Sequence, residues 1–343
     1  MSASMATRKT FNLGFVNRML DYVAGDQLSG KFARFARDIL VPGTAFLVFL
    51  LLWSAGARNV ETSLGQFPGP AKVWEQTLTL YEEHKEERAR EAAFYERLDK
   101  RLEKATADGK SQEKLDKIAN RRYTGVPTFP DQILTSLVTV ATGFLFASII
   151  AIPIGILCGM SPTMYQALNP IIQVFKPVSP LAWLPLVTMV VSALYVTDDP
   201  MFDKSFLNSA ITVTLCCLWP TLINTTVGVS SVSKDLLNVS RVLRLNWFTK
   251  TLKIVLPSAI PMIFTGLRLS LGIGWMVLIA AEMLAQNPGL GKFVWDEFQN
   301  GSSNSLARIM VAVLVIGLIG FLLDRGMLML QRTMSWDKNA TLR

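Results

Sequence analysis

Four side chains could do chemistry in surroundings that are otherwise apolar: Lys176, Arg268, Trp275 and Glu282. A charge at the middle of a membrane span costs about 2.5–3.5 kcal/mol on insertion scales, so each charged one must face protein or a water-filled path. Two roles fit the cations. Lys176 and Arg268 can offer positive charge to a small anion in passage. Alternatively Arg268 pairs with Glu282, Asp324 or a helix carbonyl end, and Lys176 reaches the inner interface on its apolar stem. Arg268, Trp275 and Glu282 recur at intervals of seven on one helix face, and Glu282 is expected too near the outer surface for deep burial. None of this makes or breaks bonds. His84 has no second His or Cys beside it, and Cys158, Cys216 and Cys217 sit in apolar runs without C-x-x-C spacing. Neither catalytic residues, nor a metal site, nor a cofactor-binding residue is therefore expected. Asn287-Pro-Gly-Leu-Gly-Lys292 lacks the spacing and the hydroxyl of a phosphate-binding G-x-x-x-x-G-K-S/T loop and reads as a turn.

The elements that hold these residues are membrane spans. Half of the 343 residues are hydrophobic and the mean hydropathy is +0.34, which places the chain in the membrane class. Six runs, 39–57, 132–158, 168–194, 206–228, 258–285 and 306–330, each approach the roughly 20 residues that cross the hydrocarbon. Continuous runs of this length exclude barrel strands, so the expected fold is an all-α membrane protein, a six-helix bundle. In the fifth run Gly266, Ser270 and Gly274 form a small-residue ridge at intervals of four, suited to close helix approach.

Charge sets the orientation. Segments 1–38, 229–257 and 325–343 hold six, five and four Lys or Arg, against Lys204 and Lys292 alone in 195–205 and 286–305. Both termini are therefore expected in the cytoplasm of a bacterial inner membrane. The net charge of +8 is then a topology signal, with no nucleic-acid partner implied. Residues 1–38 read as an amphipathic segment on the inner leaflet, 39–57 as a signal anchor without a cleavage site, and 336–343 as a cytoplasmic tail. The long loop 58–131 falls outside. Within it, residues 81–122 hold eleven acidic and twelve basic side chains, with i,i+4 pairs Glu86/Arg90, Glu96/Lys100 and Glu113/Lys117. A thin seam of Tyr95, Leu98, Leu102 and Ala105, then Gly109, then Leu115 and Ile118, predicts a charged helical hairpin. It reads as a solvated spacer or as a contact for a partner outside the membrane.

Segment 235–248 reads as a cationic amphipathic helix on the inner side. Leu236, Ser240, Leu243 and Trp247 follow 4, 3, 4 spacing, and Ile254-x-Leu256-Pro257 closes the stretch. The ending resembles the cytoplasmic coupling loop of ABC importer permeases, although Asn238-Val-Ser240 replaces Glu-Ala-Ala and Arg244 stands where Gly is expected. Further pieces resemble the nitrate, cyanate and bicarbonate branch of that family: Asn169-Pro170, Ser179-Pro-Leu-Ala-Trp-Leu-Pro185, Trp219-Pro220 with Asn224-Thr-Thr-Val-Gly228, Phe264-Thr-Gly-Leu-Arg268, Ala280-Ala-Glu-Met283 and Leu323-Asp-Arg325. Leu64-Gly-Gln-Phe-Pro-Gly-Pro70 resembles the stretch after the first span in nitrate, taurine and sulfonate permeases. The hairpin has no counterpart in that pattern. The resemblance implies a type I permease core over 132–335, with its coupling loop at 229–257, and import of a small anion such as nitrate, nitrite, cyanate or bicarbonate. The taurine and alkanesulfonate branch is the near alternative, and a self-contained secondary transporter the distant one. It further implies Leu236, Asn238, Ser240, Arg241, Leu243, Trp247 and Pro257 as the ATPase-coupling set. The implied partners are a second permease copy, two ATPase subunits that bind ATP and Mg, and a periplasmic or lipid-anchored solute-binding protein.

Overall fold

A computed structural model describes residues 39–62, 65–109, 111–196 and 201–334. The amphipathic segment 1–38 and the tail 336–343 lie outside the described residues.

Residues up to Pro70 form one unit. Helix α1 (Val41–Ala57) buries only Ala57 within it, as expected of an apolar helix whose solvent is lipid. A two-residue ladder follows, β1 (Glu61–Thr62) against β2 (Gly65–Gln66), antiparallel with Glu61 opposite Gln66.

The second unit begins with the hairpin. Helix α2 (Pro70–Ala107) runs 38 residues and α3 (Gln112–Ala119) returns after a turn at Gly109, whose φ of 63° suits glycine. The three anticipated i,i+4 ion pairs are all present, at 3.6, 2.6 and 2.7 Å. Leu98 and Ala105 of the seam are buried, while Tyr95 is exposed. Farther along, Tyr123 Oη donates to Glu87 Oε1 at 2.7 Å, and that bond holds the phenol above its ordinary pKa.

The transport core is built on α4 (Phe129–Met160), α7 (Lys204–Ser230) and α10 (Leu256–Ala285). α7 lies between the other two, and small residues set both contacts. On α4, a Cβ at Gly143 would meet Val213 and the Ala210 carbonyl, and one at Gly155 would meet Thr225 and the Leu222 carbonyl. Thr214 and Thr226 donate across that contact to the Gly143 and Gly155 carbonyls, at 3.2 and 3.3 Å. The anticipated ridge of α10 packs on the other side of α7. Gly266 faces Asn224 and Thr221, Gly274 faces Cys217, and Ser270 Oγ donates to the Cys217 carbonyl at 2.6 Å. In lipid such close approach and such hydrogen bonds replace the hydrophobic drive. The last span is α12 (Ser305–Met334), joined to α10 by the short helix α11 (Leu290–Asn300).

The run 168–194 is not one straight helix. It belongs to two helices, α5 (Pro162–Phe175) and α6 (Pro180–Leu194), bent by 99° at residues 176–179. Pro177 and Pro180 supply no N–H and Ser179 caps α6, its Oγ accepting from Leu181 N at 3.3 Å, so the chain ends one helix and starts another. Among the described residues, then, four helices are long and apolar enough to span, beside this bent pair and the 17-residue α1.

The predicted single helix 235–248 is also divided. α8 (Lys234–Val242) stops at Leu243, and a four-residue helix α9 (Trp247–Lys250) follows, with Asn246 capping it through Thr249 N at 2.8 Å. Arg244 lies between them with φ 49°. That left-handed backbone explains why glycine is the residue expected there. From Trp247 the helix continues unbroken to Ala285 through a π-turn, Thr251–Val255.

Candidate functional site

The four intramembrane candidates divide between two clefts and a set of helix ties. Lys176 caps the end of α5, and its backbone N–H donates to the Ile172 carbonyl at 2.9 Å. Its side chain is exposed, is in no ion pair among the described residues, and lines a cleft of about 370 Å³ with Trp183, Cys216, Trp219, Asn224 and Ile273. Phe175 stacks on both indoles beside it, at 5.7 Å from Trp183 and 6.2 Å from Trp219. A bare ammonium beside aromatic walls, with the second N–H of the Asn224 amide whose first donates to the Pro220 carbonyl at 2.8 Å, can hold a small anion through charge and hydrogen bonds without closing around it.

Arg268 takes the structural alternative in part. It forms a two-point pair with Asp324 of α12, through Nε to Oδ1 and through Nη2 to Oδ2 at 2.8 Å. Both side chains remain about one-third exposed to a second cleft, about 560 Å³, which also holds Thr265, Met276 and Gln331. Leu269 and Ile273 line both clefts, so one exposed strip of α10 separates Lys176 from Arg268.

Trp275 and Glu282 face neither cleft. Trp275 Nε1 donates to the Ile316 carbonyl of α12 at 3.0 Å. Glu282, expected near the surface, is completely buried, at 0% exposure. Its carboxylate accepts from Ser136 Oγ of α4 at 2.8 and 2.9 Å and from Gly291 N of α11 at 2.9 Å. Ser136 Oγ in turn accepts from Leu290 N at 2.9 Å. The acid can be buried because backbone and hydroxyl donors converge on it, which replaces its water. The heptad row of α10 thus binds that helix to α12, α4 and α11.

The coupling set lies at the other end of α10. Ser233 caps α8, with its Oγ accepting from Leu236 N at 3.4 Å, and Arg241 donates to Asn238 Oδ1 at 3.1 Å. Leu236, Val239, Val242, Leu243 and Trp247 are exposed, whereas Ser240 is buried and donates to the Leu237 carbonyl at 2.6 Å. The predicted stripe is therefore corrected: Ser240 turns inward, and the break at Arg244 moves Trp247 onto another helix. Pro257 is accommodated because the π-turn carries the Leu256 N–H to the Thr251 carbonyl, which widens the helix where a proline ring would crowd the preceding turn.

Sequence reasoning passed over Val242 on α8 and Ser136, and it named Trp183, Trp219 and Asn224 as pieces of a family pattern without placing them beside Lys176. Tryptophans within proline-broken apolar runs were the available signal for that placement.

Residues 151–336 match the family described as binding-protein-dependent transport system inner membrane component. The nitrate import permease protein NrtB of Leptolyngbya laminosa is 39% identical over 216 residues, which cover 62% of this chain and 72% of that one. The bicarbonate transport system permease protein CmpB of Synechocystis sp. is 35% identical over 325 residues, covering 92% and 96%. The taurine transport system permease protein TauC of Escherichia coli is 32% identical over 228 residues, covering 65% and 76%. Among solved structures, the MetNI methionine ABC transporter in an inward-facing conformation shares the fold, with a TM-score of 0.52 at 13% identity over 60% of this chain and 95% of that one. The chain belongs to the family of binding-protein-dependent transport system inner membrane components and is a permease subunit of an ABC importer.

Proposed function

We propose that this permease carries a small inorganic anion, of the nitrate or bicarbonate kind, between two copies of itself. The observation that carries the reading is Lys176, a cation in no ion pair among the described residues, set at a helix break beside a cleft walled by Trp183 and Trp219. Relatives named for nitrate and bicarbonate support the substrate class. An anion leaving water would exchange hydration for the ammonium and the Asn224 amide, a contact weak enough to release it again. Arg268, neutralised by Asp324, would keep the second cleft positive only in part. Trp275 and Glu282 serve assembly in this reading and meet no substrate.

Energy comes from outside the chain. α8 presents Leu236, Asn238, Arg241 and Leu243 to a cytoplasmic ATPase that binds ATP and Mg, and two such ATPases serve a two-fold permease pair. Both termini then lie in the cytoplasm, α11 lies outside, and a solute-binding protein delivers the anion there.

The test is uptake into proteoliposomes beside the ATPase rate, with nitrate, bicarbonate and taurine as solutes. Lys176→Gln should cut anion uptake about tenfold or more while assembly and basal ATP hydrolysis persist. Normal uptake in that variant would remove Lys176 from the pathway, and preferential uptake of taurine would move the chain to the sulfonate branch.

A further inference from the structure

The hairpin is strapped to the core. Arg308, in the first turn of α12, bridges Glu83 of α2 and Glu297 of α11, the latter at 3.0 Å. Arg88 of α2 reaches Asp131 of α4 at 3.0 Å, His84 Nδ1 lies 2.7 Å from Thr128 Oγ1, and Lys72 Nζ donates to the Ser303 carbonyl at 3.5 Å. Between α2 and the core these straps leave a cleft of about 440 Å³, within the range of ligand-sized sites.

Its polar demand has one sign. Glu83, Glu86, Glu87, Asp296 and Glu297 face it, against Arg90 and Arg308. Both arginines are already engaged by these carboxylates and Lys292 by Asp296, which leaves five carboxylates sharing three cations. Gln132, also in the lining, is 8% exposed, and its Oε1 is buried without a hydrogen-bond partner. An orphaned buried acceptor costs about 1–3 kcal/mol, which an incoming donor would recover once the Gln132 amide turned toward the cleft. What fits is therefore a cation that donates hydrogen bonds. A metal ion does not fit, because no group of three or more His, Cys, Asp or Glu among the described residues is arranged to hold one.

Phe129 and Phe293, both lining the cleft, pack with ring centroids 4.8 Å apart, and its charge would repel a transported anion. We propose that it is a socket for a lysine or arginine side chain of the solute-binding protein, so that the charged insertion completes the docking surface at the outer end of the permease. The proposal rests on the reading above that α11 faces the outside.

The experiment uses the full complex of permease and ATPase in lipid nanodiscs, titrated with the transporter's own solute-binding protein at two salt concentrations. The double variant Glu86→Gln with Asp296→Asn removes rim charges that hold no strap. It should weaken docking roughly tenfold and flatten its salt dependence, and Gln132→Leu should weaken it further. Uptake should return to normal when the binding protein is in excess, which separates this defect from that of Lys176→Gln, where excess would not help. Arginine methyl ester, used as a competitor, should displace the binding protein from the unaltered complex and not from the double variant. Unchanged affinity and salt slope in the double variant would overturn the proposal. So would an ester that occupies the cleft while the binding protein stays bound, since the socket would then serve free cations.

Discussion

Replacing Glu282 by alanine tests whether the junction of α4, α10 and α11 hangs on one carboxylate. The change leaves two buried donors, Gly291 N–H and the Ser136 hydroxyl, without their acceptor. At about 1–3 kcal/mol for each orphaned group, the loss is about 2–6 kcal/mol. At about 2.1 cal/mol/K of unfolding entropy per residue, a chain of 343 residues loses about 1.4 °C in Tm per kcal/mol, so a drop of about 3–8 °C is expected. Cys158, Cys216 and Cys217 are free and buried in α4 and α7, so a thiol-reactive dye reports the unfolding of the detergent-purified permease directly. Glu282→Gln keeps one acceptor oxygen and should lose about half as much. Ser136→Ala should also destabilise, by freeing Leu290 N–H, and the pair Ser136→Ala with Glu282→Ala should lose less than the sum. An alanine variant that melts within about 1 °C of the unaltered chain, too little for even one orphaned donor, would refute the argument.

Three other outcomes are expected. A Cβ at Gly274 would lie 2.5 Å from Cys217 Sγ, whereas one at Gly272 would meet nothing within 4 Å; Gly274→Val should therefore destabilise by about 1–3 kcal/mol and Gly272→Ala should raise Tm slightly, in the same dye assay. Leu243→Asp on the exposed end of α8 should abolish co-purification of the ATPase while leaving the permease folded, and full co-purification would dismiss the docking role. Replacing 96–121 by a short Gly-Ser linker should leave Tm unchanged, whereas removing 82–122 should lower it by severing the straps at Glu83, His84 and Arg88; equal melting of the two deletions would contradict the strapping.

What the sequence made legible was local or periodic. The apolar runs, the i,i+4 pairs of the hairpin and the Gly266/Ser270/Gly274 ridge all follow from spacing along a single helix. What stayed hidden was set by partners distant in sequence. Glu282 looked shallow because its donors are a serine 146 residues away and a backbone N–H, and backbone donors leave no trace in residue type. The hairpin looked peripheral because Glu83 and Arg308 are 225 residues apart. The prolines at 177 and 180 did announce a break, yet apolarity on both sides disguised two bent helices as one straight one. Arg244 was visible as a departure from the expected glycine, and only the backbone angle showed what the glycine is for.

The unbroken helix Trp247–Ala285 has a mechanical consequence. Its 39 residues at about 1.5 Å each make a rod of about 58 Å, nearly twice the roughly 30 Å of hydrocarbon that it crosses. One end adjoins the exposed coupling segment and the other carries Glu282. A hydrogen-bonded rod resists shortening, so in the proposed orientation work done at its coupling end would reach the Glu282 end as tilt or rotation. A tilt of about 10° about the midpoint would carry each end about 5 Å, enough to pass roughly one helical turn across a neighbour. The ridge against α7 is the fulcrum in that geometry, and the π-turn at Thr251–Val255 is where the lever could change pitch without losing its hydrogen-bonded continuity.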